Sequence, residues 1–340
     1  MPRRARARPT IYDVAKVAGV STATVSRALN GTGQIAPATQ TAVEQAVAEL
    51  GYRPNAIARS LVTKSTQTIA FMLPDITNPF YASLVSGIQQ LALKRGYTML
   101  LCTTEGDPQR EEQYLNLLRG SQVAGALVDG LVLPPERIAR IVEEGFPIVC
   151  LDRDINSPLV PLVQVDNRLG AQLATEYLLS LGHRVIAHVA GAPELRISEE
   201  RATGYTKAIA AAGVDPDEGL IAVGGFTVEG GYEATQALLA ARPQVSAIFA
   251  ANDLSALGAI NAIAATGRRV PDDVSVVGFD DLRLSAFMSP PLTTIHQPAH
   301  EIASRATQIL IDLTHGREVR KLHYLFEPKL VVRASTSAPR

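Results

Sequence analysis

Six positions of this 340-residue chain carry a carboxylate or carboxamide directly behind a short apolar run: Asp75, Asp152, Asn252, Asp253, Asp280 and Asp281. Carboxylates accept hydrogen bonds, and a carboxamide both donates and accepts, in fixed directions. Such a set suits a ligand rich in hydroxyls. Arg201, at the head of a predicted helix in "ISEERATGY", adds a fork of donors. Asn78 and Phe80 follow the first apolar run and Phe226 the sixth, and aromatic faces pack well on a sugar ring. Any one of these acids alone reads more readily as a helix cap, but the set does not. Asp253 and Asp281 each sit one residue beyond a stronger candidate and read as caps or hinge-side hydrogen-bonders.

A second chemistry lies at the front of the chain, in "TIYDVAKVAGVSTATVSRALNG". Ile11, Val14, Ala15 and Ala18 fall on one helical face, with Thr10 as a cap and Gly19 suited to the left-handed residue that ends a helix. Ser21 caps a second helix in which Val25 and Leu29 face inward, leaving Thr22, Ala23, Ser26 and Arg27 outside. Two short helices around a glycine turn, with small residues and an arginine outward, form a helix-turn-helix pattern. Its second helix fits the major groove, where hydroxyls and a guanidinium reach base edges. A third amphipathic helix spans Pro37 to Leu50.

Catalytic signatures are missing. The chain has no G-x-S-x-G elbow, P-loop or G-x-G-x-x-G, and its six histidines lack HExxH spacing. His183, in "LGHR", reads as a structural turn residue. Neither a metal set nor a cofactor motif is present. Cys102 and Cys150 each sit among apolar residues and read as buried free thiols.

These groups need a scaffold. From about Gln67, strand-like runs at 68–74, 98–103, 130–134, 147–152, 185–190, 220–225, 247–252 and 274–280 alternate with helical patterns. Continuous apolar runs mark parallel strands buried on both faces, hence an α/β body. Eight strands suit two sheets rather than one, with crossovers near Asp166 and near Thr294 and a helix from Ala299 to Leu313. Ligands in such sheets sit beyond the carboxyl ends of the strands, where the six residues above accumulate. Between head and body, "GYRPNAIARSLVTKST" offers Ile57 and Leu61 on one stripe with no local core. It reads equally as a plain linker or as a segment that folds only against a partner chain and DNA.

The net charge of −1 conceals an asymmetry: residues 1–64 hold nine Lys/Arg against three acids, +6, which leaves −7 for the rest. A basic head on an acidic body points to a polyanion for the head alone, although a basic tail without a ligand gives the same count. The basic N-terminus lacks an apolar stretch behind it, and no run of 18 apolar residues occurs. The expected compartment is therefore the cytoplasm.

The run "TIYDVAKVAGVSTATVSRALNG" followed by "YRPNAIARSL" resembles the lactose repressor/galactose repressor (LacI/GalR) family of bacterial transcription regulators. The resemblance continues through "PDITNPFY", "VDN", "LGHR", "AANDLSALG", "VSVVGFDD", "PPLTTIHQP" and "LVVRAST", over nearly the whole chain. It implies an all-α helix-turn-helix head plus an α/β periplasmic-binding-protein-like core of two doubly wound parallel-sheet subdomains. The expected divisions are a basic tail (1–8), the DNA-binding domain (9–54), a hinge helix and linker (55–66) and an effector-binding and dimerisation core (67–340). Within that core the first subdomain takes about 67–165 and 295–323, and the second about 166–294 and 324–340.

By the same resemblance the partner is an approximately palindromic operator bound by a homodimer, at the nucleoid. The absence of a C-terminal leucine heptad favours a dimer over a tetramer. Thr22, Ala23 and Arg27 would touch base edges, and Tyr12, Thr24, Ser26 and Asn30 phosphates. Asn55 and Ala58 would sit at the hinge helix, and Leu61 would wedge into the minor groove. Ala23 departs from members with a polar residue there and offers only apolar contact, for instance to a thymine methyl. Effector contacts would fall at Phe80, Asp152, Arg201, Phe226, Asn252 and Asp280, with Asp75, Asn78 and Gln297 nearby. A sugar or sugar derivative is the commonest effector class, and nucleosides and purines also occur. The competing readings are a solute-binding protein of a sugar transport system, which needs an export signal and no head, and a two-lobed sugar-processing enzyme, which needs a base at the cleft.

Overall fold

The computed structural model describes residues 9–30, 34–52, 66–120, 123–130, 132–153, 155–214 and 220–340. The chain divides into two compact units, Met1–Thr66 and Gln67–Arg340. The basic tail (1–8) and the hinge positions Asn55, Ala58 and Leu61 lie outside the described residues.

In the first unit, helix α1 (Ile11–Ala18) begins where the Thr10 N–H and hydroxyl both donate to Asp13 Oδ2, at 2.8 and 2.7 Å. Those bonds hold the Asp13 carboxyl below its ordinary range. Gly19, at φ +66°, ends the helix in a conformation that costs a residue without Cβ least. Helix α2 (Thr22–Asn30) starts under Ser21, whose Oγ accepts from the Thr24 N–H at 3.1 Å. Helix α3 (Pro37–Leu50) has proline at its first position, where a missing N–H is harmless. Val14, Ala15, Val25, Ala28, Val43 and Ala46 make the shared core.

The second unit holds two six-stranded sheets. The first contains β1 (Thr68–Leu73), β2 (Thr98–Thr103), β3 (Ala126–Asp129), β4 (Ile148–Leu151), β5 (Leu162–Val165) and β11 (His323–Phe326), in the order β11-β5-β4-β3-β1-β2. The second contains β6 (Ile186–Ala190), β7 (Ile221–Val223), β8 (Ala247–Ala250), β9 (Ser275–Asp280), β10 (Thr293–His296) and β12 (Lys329–Val331), in the order β12-β10-β9-β8-β6-β7. Neighbours run parallel except β10 and β12.

Both faces of each sheet are covered, which is why the central strands are unbroken apolar runs. Helices α4 (Pro79–Lys94) and α11 (Ala299–Thr314) pack on one face of the first sheet, α5 (Pro108–Gly120) and α6 (Pro135–Glu143) on the other. In the second sheet, α7 (Asn167–Ser180) and α8 (Arg196–Ala211) oppose α9 (Val228–Ala241) and α10 (Asp253–Ala265).

Helices α9 and α10 approach through glycines. A Cβ on Gly258 would lie 2.1 Å from the Val228 carbonyl oxygen and 2.6 Å from the Tyr232 nitrogen, and one on Gly231 2.4 Å from the Ser255 oxygen. These obstacles are backbone and cannot swing aside. Gly258→Ala is therefore expected to destabilise by about 3 kcal/mol, the upper end for overpacking. Urea unfolding of the full chain checks this, and an unchanged midpoint would contradict it.

Three sequence expectations require correction. The strand expected at 130–134 lies instead at Ala126–Asp129. Gly130 turns the backbone at φ +61°, and the Val132 and Leu133 N–H groups donate to the buried Glu111 carboxylate rather than to a neighbouring strand. The crossover expected near Thr294 falls after His296, because Thr294–His296 pairs with β9 and β12 in the second sheet. The boundary set at 323/324 moves to the stretch between Phe326 and Lys329. His323–Phe326 extends the first sheet beside β5, and Pro328, with no N–H for a ladder, precedes β12.

Candidate functional site

On α2, Val25 is fully buried and Leu29 half-buried, which turns Ala23 and Arg27 outward to solvent. The Arg27 Nε donates to the Ala23 carbonyl at 3.4 Å, so its guanidinium lies along the exposed face. Thr22, Thr24 and Ser26 are half-buried, and the Thr24 hydroxyl sits 2.9 Å from Ser21 Oγ. Tyr12 is 74% exposed. Asn30 is the last residue of α2. The helix thus offers one cation and one methyl, four residues apart on one face, flanked by hydroxyls.

In the second unit the loops at the carboxyl ends of both sheets enclose a cavity of about 290 Å³, at the small end of ligand sites. All nine residues expected around a ligand line it: Asp75, Asn78, Phe80, Asp152, Arg201, Phe226, Asn252, Asp280 and Gln297. Asp75 and Asn78 come from the β1–α4 connection and Phe80 from the start of α4. Asp152 follows β4, Phe226 follows β7, Asn252 follows β8 and Asp280 ends β9. Gln297 stands on the crossover after β10. Two of them also cap helices: the Asn78 Oδ1 accepts from Phe80 N–H at 3.0 Å, and the Asn252 Oδ1 from Ser255 N–H at 2.9 Å. Asp253 and Asp281 stay out. Asp253 accepts from the Leu282 N–H and from the Ser285 and Thr294 hydroxyls, while Asp281 pairs with Arg333 and His296.

Arg201 is the hub. It is 2% exposed, donates from Nε to Asn167 Oδ1 at 2.9 Å and from Nη1 to the Ala251 carbonyl, and lies 3.8 Å from Asp280 Oδ1. Its guanidinium carbon sits 3.6 Å from the centre of the Phe279 ring, a cation–π contact. Gln297 Nε2 donates to the same Asp280 Oδ1 at 2.7 Å, and the Gln297 Oε1, buried beside the cavity, has no hydrogen-bond partner among the described residues.

Burial pushes the Asp280 carboxyl up to about 8 despite Arg201, and Asp152 to about 6. An unfolded carboxyl titrates near ~4, so at intermediate pH the folded chain holds protons that the unfolded chain has released. That contribution to stability is complete below the unfolded value and is lost as pH rises through about 6 and then about 8. The melting temperature is expected to fall across this interval at constant ionic strength, and Asp280→Asn to flatten the fall. A melting temperature that climbs there would contradict the assignment.

Four non-glycine cavity residues hold left-handed backbone: Glu105 (φ 55°), Asp152 (55°), Phe226 (65°) and Asp280 (117°). Strain of this kind persists only where the surroundings enforce it. At Phe226 they can be named. The Asn252 Nδ2 donates to its carbonyl at 3.0 Å, and its ring lies so close over Gly191 that a Cβ there would be 2.0 Å from the ring.

The sequence reading missed Tyr81, Glu105, Glu194, Leu195, Ile197 and Thr227, which also line the cavity. Glu105 follows β2 and was findable by the rule that found Asp75; the others carry no local signal. His183 reads correctly as structural, its ring nitrogens meeting the Ser246 and Ser275 hydroxyls and the Ser337 carbonyl. Among the described residues, no group of three or more His, Cys, Asp or Glu is arranged to hold a metal, and no helix is long and apolar enough to cross a membrane.

Residues 10–55 match the family model of bacterial regulatory proteins, lacI family, and residues 175–336 a periplasmic binding protein-like domain. The chain is 37% identical over 327 residues to the HTH-type transcriptional repressor PurR of Photobacterium profundum, covering 96% of this chain and 98% of that protein. A solved complex of the transcriptional regulator CelR with cellobiose shares 36% identity and a TM-score of 0.74, over 96% of this chain and 100% of that one. The lac repressor dimer bound to operator and the anti-inducer ONPF is similar at 29% identity and a TM-score of 0.89, over 98% of this chain and 100% of that one. With this head, this pair of sheets and these relatives, the chain belongs to the lacI family of bacterial regulatory proteins, and it is a transcriptional regulator.

Proposed function

We propose that this regulator is a repressor that binds an approximately palindromic operator as a homodimer and changes its grip when a sugar or sugar derivative fills the cavity. Thr22, Ala23 and Arg27 read base edges, and Tyr12, Thr24, Ser26 and Asn30 hold phosphates. Asp152, Arg201, Asn252, Asp280 and Gln297 bond the effector's hydroxyls, Phe80 and Phe226 pack on its ring, and Asp75 and Asn78 close the rim. The protein works in the cytoplasm, at the nucleoid while bound.

One observation carries this reading: a single chain joins an exposed arginine on the second helix of a helix-turn-helix to a buried cavity of directional polar groups at the carboxyl ends of two sheets. The cellobiose held by a relative supports a sugar, and the dimeric operator complex of another supports the palindrome. Effector and DNA are coupled by differential affinity for two arrangements of the core, typically about 1–3 kcal/mol.

Selection of bound duplexes from a random pool tests the DNA half. Inverted half-sites are the expected product. Retention of every sequence alike would overturn the reading.

A further inference from the structure

Beside the cavity lies a recess of about 10 Å³, room for one water-sized group. Asp152, Leu195 and Ile197 line both spaces, and Asp129 lines the recess alone. Asp129, the last residue of β3, is 4% exposed, and its Oδ2 has no hydrogen-bond partner among the described residues. Gly130 behind it turns at φ +61°, with Pro74 filling the space a Cβ would take.

Acids outnumber fully buried cations at this point, and burial keeps protons on them. Three buried carboxyls, Asp129, Asp152 and Asp280, share one fully buried cation, Arg201, whose ion pair goes to Asp280. Two further basic groups line the recess: burial lowers the pKa of Arg153 against the pull of Glu111, and Arg196 Nε lies 3.2 Å from Glu200. Tyr81 faces the same acids, which together with burial hold its phenol well above the ordinary range and neutral. Burial and the neighbouring Asp152 likewise hold the Asp129 carboxyl far above the usual carboxylate range. A buried carboxyl without a cationic partner keeps its proton, and a ligand that carries its own cation lets it ionise and pair.

We propose that the recess is a subsite for a protonated amino group, so that the effector is an amino sugar or a comparable amino polyol. Its ammonium donates to Asp129 Oδ2 and to the Asp152 carboxylate while its ring fills the main cavity. A phosphate or carboxylate is refused there by size. The inference rests on the main cavity being a sugar site, and it goes beyond that reading by fixing the charge of the ligand.

Calorimetric titration of the full-length protein tests it with matched pairs: glucose and glucosamine, galactose and galactosamine, mannose and mannosamine, cellobiose and its diamino counterpart, with glucose 6-phosphate as the anion. For the pair that fits, the amino sugar is expected to bind at least about tenfold tighter than its parent, a difference of about 1.4 kcal/mol. Asp129→Asn, which keeps the shape and removes the charge, abolishes that preference and leaves the parent's affinity unchanged. Equal or tighter binding of the neutral parent, or of the phosphate, overturns the amine subsite and leaves the sugar reading standing. This comparison needs only the unaltered protein, so it holds even where the variant fails to fold. Binding of ethanolamine or spermidine that Asp129→Asn removes, with no sugar bound, overturns the sugar reading and keeps the subsite. No binding by any of these probes overturns both.

Discussion

Arg201→Ala is expected to lower the unfolding free energy by about 3–5 kcal/mol, the cost of removing the central member of a buried hydrogen-bonded network. For a domain of this size that is roughly 10 °C in melting temperature. The size of the effect follows from position. The guanidinium bonds Asn167 and the Ala251 carbonyl, stacks on Phe279 and is the cation nearest Asp280. Its removal leaves Asn167 and the Ala251 carbonyl without their donor and Asp280 without its cation in a low-dielectric pocket, and also deletes the fork of donors on the cavity wall. Effector response should disappear with it, while operator affinity, measured well below the new melting temperature, stays near that of the unaltered protein. Arg201→Lys should recover part of the stability, because the charge returns, and little of the response, because an ammonium cannot reproduce the planar fork. A melting temperature within a degree or two of the unaltered protein would show that the hub holds nothing together.

The second large effect is on DNA. Arg27→Ala is expected to weaken operator binding by about 1–3 kcal/mol, roughly 5- to 150-fold, while binding to unrelated duplexes changes little. Arg27 is exposed and packs in no core, so the head should remain folded and the effector cavity should be unaffected. Four residues earlier, Ala23 offers only a methyl, which leaves Arg27 as the one charged group reading bases on this helix. Fluorescence anisotropy at fixed salt separates the alternatives. Equal losses on operator and random duplex would make Arg27 a phosphate contact and contradict its role at a base edge.

The head was legible because its helices are punctuated: Thr10 and Gly19 frame α1, Ser21 opens α2, and Pro37 and Gly51 bound α3. The cavity was legible for a different reason. Parallel strands announce themselves as apolar runs, and a polar residue directly behind one must stand where ligands bind. That rule found Asp75, Asp152, Asn252 and Asp280.

It also explains the omission of Asp129. With the strand placed at 130–134, Asp129 fell before it rather than at its carboxyl end, because "ALVDGLVLP" is apolar on both sides of Gly130 and only the turn there decides between them. Strands β5, β10, β11 and β12 all escaped: each is only three or four residues long, β5 and β10 are interrupted by Gln164 and by the Thr293–Thr294 pair, and β11 and β12 are partly exposed edges. Leu195, Ile197 and Gly191 are set by how the start of α8 and the Phe226 ring lie in three dimensions. No spacing along the chain encodes that.

The central claim is that one molecule couples a metabolite in the cavity to the grip of the head. Its most direct test is the operator affinity of the full-length protein at constant salt, with and without the mono- or disaccharide that most raises its melting temperature. The account predicts a change of about 5- to 150-fold on the selected operator and none on a scrambled duplex of equal length. A single affinity for both duplexes, unmoved by any sugar that binds, would contradict it.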